Sequence, residues 1–138
     1  MKKILTAAIF GVLMLLAAAP QASAQEPEQP NIDEIIANQL ENLERMFKLD
    51  DVQIFFVDSI LQANFPAMME EFENTQKAGA ANAETFQLLS DKWMDRTDRA
   101  FEKVFTPEQW TRYMKSTYGK EKKKRDKRLS ERNLTAED

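Results

Sequence analysis

The chain of 138 residues contains no cysteine and no histidine. Zinc sites in proteins are built mainly from these two side chains, so we expect no bound zinc. Methionines are ligands for a soft metal such as Cu(I), but Met46, Met68, Met69, Met94 and Met114 lie on or near apolar stripes. We interpret them as core residues and predict no metal site.

The absence of cysteine and histidine also excludes disulfides, thiolate chemistry and the histidine base of a Ser–His–Asp triad. The candidate acid/base residues are carboxylates, in the groups Glu70, Glu71, Glu73 and Asp91, Asp95, Asp98. No glycine-rich loop or cofactor motif lies near them, so the sequence predicts neither a cofactor nor an enzymatic activity.

Glycine is scarce as well, with three residues in the whole chain. This composition disfavours folds rich in β-hairpins, and no segment has the pattern of a strand bounded by turn residues. Apolar residues recur instead at intervals of three and four, which is the spacing along one face of an α-helix. We therefore predict an all-α domain.

The N-terminus has the pattern of a secretory signal peptide. Two lysines precede an apolar run at residues 4–19, and Ala22-Ser23-Ala24 provides a small-residue cleavage site. The sequence therefore predicts a signal peptide at residues 1–24, cleavage after Ala24 and a periplasmic location. Residues 25–30 are polar and contain prolines, and we expect a disordered leader there.

Four helices, two of them long, are predicted between residues 31 and 128, followed by a flexible tail at 129–138. Their predicted starts are residues with side chains suited to capping a helix, and their ends are breaks in the apolar spacing. The first begins at Asn31 and ends before Lys48, the second runs from Asp50 to about Lys77, the third begins at Asn82, and the fourth runs from Thr106 to just before Gly119.

A five-residue helix start occurs twice, as Leu49-Asp50-Asp51-Val52-Gln53 and as Phe105-Thr106-Pro107-Glu108-Gln109. An Asp or Thr three residues before Gln is the spacing of a capping box, in which each of the two side chains accepts a hydrogen bond from the other residue's backbone N–H. Proline suits the first helical position, where a missing N–H costs nothing. The predicted motif residues are Leu49, Asp50, Gln53, Phe105, Thr106, Pro107 and Gln109.

The second helix carries more apolar residues than one buried stripe needs. Beside a first stripe that includes Val57 and Leu61, a second row includes Val52, Phe56 and Ile60. Pro66 lies on the polar side of the same helix, and a proline there predicts a bend with the apolar side concave. Two interpretations remain open: burial of both rows by other helices and a dimer partner, or a surface partly open to ligands. In the second case the candidate ligand-binding residues are Ile54, Phe55, Phe56, Val57, Ile60 and Leu61.

Two LTxxQ-like motifs in a small, exported, helical protein resemble the Spy/CpxP (LTxxQ) family of periplasmic stress proteins. The resemblance covers residues 31–128, with Asp50 at the Thr position of one copy and Phe105 at the Leu position of the other. Since Asp caps helices as well as Thr does, the capping chemistry is retained. The chain lacks histidine, so the histidine-based metal binding of some relatives is not expected.

The resemblance implies a thin, curved helical domain, an antiparallel homodimer, and an ATP-independent chaperone-like or envelope-stress function on unfolded or partly folded chains. Two alternatives from other classes stay open. One is a regulatory module that docks on a folded sensor or another periplasmic partner, and the other is a purely structural helical dimer.

Charge is distributed unevenly along the sequence. Residues 25–75 hold 12 acidic and 2 basic residues, whereas residues 76–138 hold 11 acidic and 15 basic ones. This asymmetry is suited to pairing antiparallel subunits or to steering charged clients, and a solvated surface is the alternative. We interpret the basic run near the C-terminus as a frayed, solvated helix end in preference to a contact with an anionic membrane surface or with an acidic patch of a client. We expect no nucleic acid partner for an exported protein. That run comprises Lys120, Lys122, Lys123, Lys124, Arg125, Lys127 and Arg128.

Overall fold

The computed structural model describes residues 31–132. The predicted signal peptide, its cleavage site, the leader at 25–30 and the last six residues lie outside the described range. Within that range the chain is all-α, as predicted. It forms five helices instead of four: α1 (Ile32–Phe47), α2 (Asp51–Lys77), α3 (Ala83–Val104), α4 (Pro107–Lys115) and α5 (Thr117–Glu131). None of these five helices is both long enough and apolar enough to cross a membrane.

Local hydrogen bonds cap the first and third helices where the sequence predicts their starts, and a glycine follows the predicted end of the second. The Asn31 side chain accepts hydrogen bonds from the backbone N–H groups of Asp33 and Glu34, and the Asn82 side chain accepts one from Thr85. The chain leaves α2 through Gly79, whose φ of +71° lies in the left-handed region that favours glycine. The Asn31 cap, the Asn82 cap and the end of α2 at Lys77 are therefore confirmed.

The prediction of a single fourth helix that ends before Gly119 is wrong. The helix breaks at Ser116, where ψ is 178°, and the Ser116 hydroxyl donates a hydrogen bond to the Tyr113 carbonyl at 2.6 Å. Gly119 lies in the first turn of α5, and a Cβ there would clash with the Met114 carbonyl group. Glycine is needed for the close approach of α5 to the end of α4.

The helix α5 also extends past the predicted domain boundary at Arg128. It continues to Glu131, and the side chain of Leu129 is buried. The first residues of the predicted flexible tail therefore belong to the folded domain.

The long helices α2 and α3 pack side by side with opposite directions. Asn64 of α2 donates to Thr97 of α3 at 2.9 Å, and farther along α2 the ring of Phe72 meets Phe86 at 5.5 Å, so the α3 partner moves backwards as α2 advances. The helix α1 packs on α2, and α5 packs on α3 and α4. Helix α3 therefore lies between the apolar helix α2 and the basic helix α5.

The core lies where α1, α2, α3 and α4 meet, and aromatic rings fill much of it. The rings of Phe47, Phe105 and Tyr113 lie 5.4 to 5.7 Å apart in all three pairings, a separation at which aromatic edges and faces attract. The buried apolar residues of this cluster are Ile36, Leu43, Phe47, Leu49, Val57, Leu61, Phe101, Phe105 and Tyr113.

Candidate functional site

Both capping boxes predicted from the sequence are formed. In the first, the Gln53 N–H donates to the Asp50 carboxylate at 2.8 Å, and the Asp50 N–H donates to the Gln53 side-chain oxygen at 3.1 Å. In the second, the same two bonds join Thr106 and Gln109 at 3.2 and 2.9 Å. Asp50 and Thr106 are therefore the caps of α2 and α4.

The two boxes face each other, which the sequence does not reveal. The Gln53 amide donates to the Gln109 side-chain oxygen at 2.6 Å, and the Gln109 amide donates back to the Gln53 oxygen at 3.1 Å. Each amide also reaches the end of the helix that precedes the other box: Gln53 donates to the Val104 carbonyl at 3.1 Å and Gln109 to the Phe47 carbonyl at 3.2 Å. The repeated motif thus builds one junction between four helix ends.

This junction satisfies every hydrogen-bonding group of two buried amides. Gln53 and Gln109 are 8% and 7% exposed, and each accepts from its own cap and from its partner. The Gln53 amide donates to two acceptors, and the Gln109 amide donates to Gln53 and to the Phe47 and Lys48 carbonyls. Leu49 and Phe105, which precede the two caps, are buried in the core, whereas Pro107 is exposed at the first position of α4. The motif residues are therefore structural, and their arrangement fixes the geometry of α2.

A second polar arrangement joins α3 to α5. Asp98 is fully buried; it accepts a hydrogen bond from the Tyr113 hydroxyl at 2.6 Å and forms an ion pair with Arg125. Two turns earlier on α3, Asp91 accepts two hydrogen bonds from the Arg128 guanidinium at 2.7 and 2.8 Å. Bidentate pairs of this kind fix orientation as well as adding energy.

The interpretation of the basic run as a frayed, solvated helix end is therefore wrong. Arg125 and Arg128 turn inward to the carboxylates of α3, and Lys122 pairs with Asp126 at 2.6 Å. The outward face of α5 carries the lysines that remain exposed: Lys120, Lys123, Lys124 and Lys127.

The surroundings of Asp98 shift two pKa values in the same direction. Burial raises the pKa of the Asp98 carboxyl, and the hydrogen bond from Tyr113 and the charge of Arg125 oppose this rise. Burial and the neighbouring Asp98 carboxylate raise the pKa of Tyr113 well above 10, and burial raises that of Tyr118. Tyr113 and Tyr118 are the two tyrosines of the chain.

We expect Tyr113 to stay protonated near pH 10 while the protein is folded, and Tyr118 to ionise above its ordinary pH. The unfolded chain loses the Tyr113 proton above pH 10 and the folded chain keeps it, so this tyrosine lowers the free energy of unfolding by about 1.4 kcal/mol per pH unit between pH 10 and its pKa in the folded protein. The stabilisation is complete below pH 10 and is lost as the pH rises. Tyrosinate absorbance from Tyr113 should therefore appear together with unfolding, and ionisation of both residues at the ordinary pH in folded protein would contradict the burial of Tyr113.

The six candidate ligand-binding residues of α2 do not share one surface. Val57 and Leu61 are 0% and 1% exposed and belong to the core, and Ile54 and Ile60 are half-buried and pack against it. Their assignment to an open concave face is wrong for Val57 and Leu61. Phe55 and Phe56, in contrast, are 66% and 49% exposed.

An exposed apolar patch remains on the outer face of α2. Val52, which is 65% exposed, precedes Phe55 and Phe56 by three and four residues, so the three side chains lie on one helical stripe. The rings of Phe55 and Phe56 meet edge to face at 5.6 Å. We call Val52, Phe55 and Phe56 the α2 patch; about half or more of each side chain is exposed.

A charged cleft lies elsewhere among the described residues. It has a volume of about 340 Å³ between α3 and α5, and the residues that line it are Asp95, Arg99, Glu102, Lys122, Asp126, Leu129 and Ser130. Within residues 31–132, no group of three or more acidic side chains is placed to hold a metal ion.

Comparison with known protein families, with curated proteins and with solved structures finds no match.

Proposed function

We propose that the protein is a periplasmic, ATP-independent chaperone-like or envelope-stress protein of the Spy/CpxP type. It holds unfolded or partly folded chains, its clients, by reversible apolar contact. The α2 patch is the observation that carries the proposal, because exposed phenylalanines grouped on one stripe of a soluble domain are typical of a contact surface. The mechanism needs no nucleotide, since apolar attraction is non-directional and the clients leave by dissociation.

The junction of the two capping boxes supports this function by holding α2 in place. Gln53 lies in the first turn of α2 and is hydrogen-bonded on all sides, so the patch at residues 52–56 starts from a fixed helix end. A fixed surface loses less conformational entropy when a client binds than a mobile loop does. The patch is thus presented on a rigid scaffold.

The proposal includes a curved, antiparallel homodimer. Its support is the separation of charge, since antiparallel pairing brings the acidic α1–α2 half of one subunit beside the basic α3–α5 half of the other. Pro66 is exposed on α2, as expected for a proline on the outer side of a bend.

We expect Phe55→Ser and Phe56→Ser each to weaken the suppression of client aggregation. Burying part of a phenylalanine against a client is worth about 1 kcal/mol, so about fivefold more protein should be needed for the same suppression. Light scattering of a denatured client protein measures this. Both variants should keep their melting temperatures, because exposed side chains contribute within about 0.5 kcal/mol to folding.

Ala63→Ser is the matched control, since it places the same hydroxyl on an exposed position of the same helix without removing a large apolar side chain. Ile60→Ser is unsuitable because Ile60 packs against the core. Unchanged suppression in both phenylalanine variants would refute the role of the patch. Dissociation of a dimer in sedimentation would show that the patch is a dimer interface and would favour the structural alternative.

A further inference from the structure

We propose that the α2 patch selects apolar segments that also carry positive charge. This inference rests on the proposed function and names the class of client that the patch prefers. Its basis is the charge of the helices that carry and support the patch, which is predominantly negative.

The helices that carry and support the patch are acidic. From Asn31 to Lys77 the chain has ten acidic residues and three basic ones. Asp51 is exposed beside Val52, and Asp58 follows Phe56 by two residues and is half-buried. After Phe56 the next basic residue on α2 is Lys77, about 30 Å farther along the helix axis.

The two cations nearest in sequence do not reverse this sign. Arg45 and Lys48 border a shallow depression together with Glu41 and Glu44, so the four charges there balance. Arg45 also donates a hydrogen bond to Asn42 at 2.8 Å. Asp50, Asp51 and Asp58 are left as the excess charge around the patch.

The densest group of basic residues lies on α5, with α3 between it and α2. Residues 83–132 hold fourteen basic and nine acidic residues, and their basic helix α5 packs on α3 and α4. Charges separated by more than a screening length of about 8 Å interact weakly at physiological salt. A client segment on the α2 patch therefore lies nearer to the carboxylates of α1 and α2 than to the cations of α5.

Complementary charge near an apolar contact raises the encounter rate and selects among partners of equal hydrophobicity. Each exposed ion pair adds about 0.2 to 1 kcal/mol, so two or three pairs give a preference of about fivefold in Kd. A segment in which lysine or arginine flanks phenylalanine or leucine fits the patch best, and the same apolar residues flanked by glutamate fit it worst.

Three labelled peptides test this with the purified full chain. They share the same leucine and phenylalanine positions and differ only in flanking residues: lysine, glutamine or glutamate. Fluorescence anisotropy at low and high salt should give the tightest Kd for the lysine peptide, with a preference of about fivefold over the glutamate peptide that shrinks as salt rises. Phe55→Ser with Phe56→Ser should weaken binding of the lysine peptide.

Two double variants locate the charges responsible. Asp51→Asn with Asp58→Asn should reduce the preference towards one, whereas Glu121→Gln with Glu131→Gln removes the same net charge from exposed positions on α5 and should leave it intact. Equal affinity for the three peptides, or tighter binding of the glutamate peptide, would overturn the inference and leave the proposed function standing. Lysine-peptide binding unaffected by loss of both phenylalanines would also overturn it. Absence of binding by all three would overturn the proposed function itself.

Discussion

Asp98→Ala should lower the free energy of unfolding by about 3 to 5 kcal/mol. The substitution leaves the Arg125 guanidinium charged and nearly buried, with a side chain that is 10% exposed. It also removes the acceptor of the Tyr113 hydroxyl. Whole domains are typically stable by about 5 to 15 kcal/mol, so the variant should be close to unfolding at ordinary temperature. Urea denaturation followed by circular dichroism measures the loss.

Asp95→Ala is the matched control for this prediction. Asp95 is also buried and lies one turn earlier on the same helix, but its partner Arg99 is 48% exposed and returns to water when the carboxylate is removed. We expect a loss of less than about 1 kcal/mol there. The double variant Asp98→Ala with Arg125→Ala should lose less stability than Asp98→Ala alone, because it leaves no unpaired buried cation. Equal losses from Asp95→Ala and Asp98→Ala would show that burial of the ion pair is not what stabilises the contact between α3 and α5.

The all-α class and the starts of the long helices could be predicted because they depend on neighbours within three or four residues. Asn31, Asp50, Asn82 and Thr106 each cap a helix through such local hydrogen bonds. The break at Ser116 was not predicted because no proline marks it. Gly119 has the pattern of a helix end, whereas in the structure it allows a close contact with Met114. The local sequence pattern therefore located the helix caps but gave the wrong helix bounds after α4 begins.

The ion pairs between α3 and α5 could not be predicted from the sequence for a different reason. Aspartate and arginine are almost always exposed unless they are paired, so Asp91, Asp98, Arg125 and Arg128 read as solvated residues when taken one at a time. Their pairing joins positions far apart in sequence, and spacing along one helix carries no information about it. A run of cations that follows a helix with three regularly spaced aspartates was the one available signal.

The candidate binding residues were partly predictable. Helical periodicity gives the position of each side chain around the axis of α2 and places Phe56 on a different face from Val57 and Leu61. It does not show which faces are packed against other helices. The structure shows this: the core takes Val57 and Leu61 and leaves Phe55 and Phe56 exposed. The choice between a covered and an open second row therefore required tertiary contacts.

Gln109→Ala should lower the free energy of unfolding by about 2 to 4 kcal/mol, more than loss of a helix cap alone. The glutamine is buried and bonds to the Gln53 amide, to the Phe47 carbonyl and to the Thr106 N–H. Removing it deprives several groups at the junction of a partner, and each unpaired buried group costs about 1 to 3 kcal/mol. Thr106→Ala removes only the cap bond and should cost about 0.5 to 2 kcal/mol. Chemical denaturation of the two variants compares these losses directly.

A double-mutant cycle with Gln53→Ala and Gln109→Ala decides whether the two capping boxes act as one unit. The reciprocal amide pair at 2.6 and 3.1 Å means that the first substitution already removes bonds that the second would break. The double variant should therefore lose less stability than the two single losses added together, with a coupling of about 0.5 to 3 kcal/mol. Asp50→Ala with Thr106→Ala is the control cycle, because the two cap side chains bond only within their own boxes and their losses should add. Additive losses in the glutamine cycle would mean that the repeated motif supplies two independent helix starts and that the junction does not hold α2 against α4.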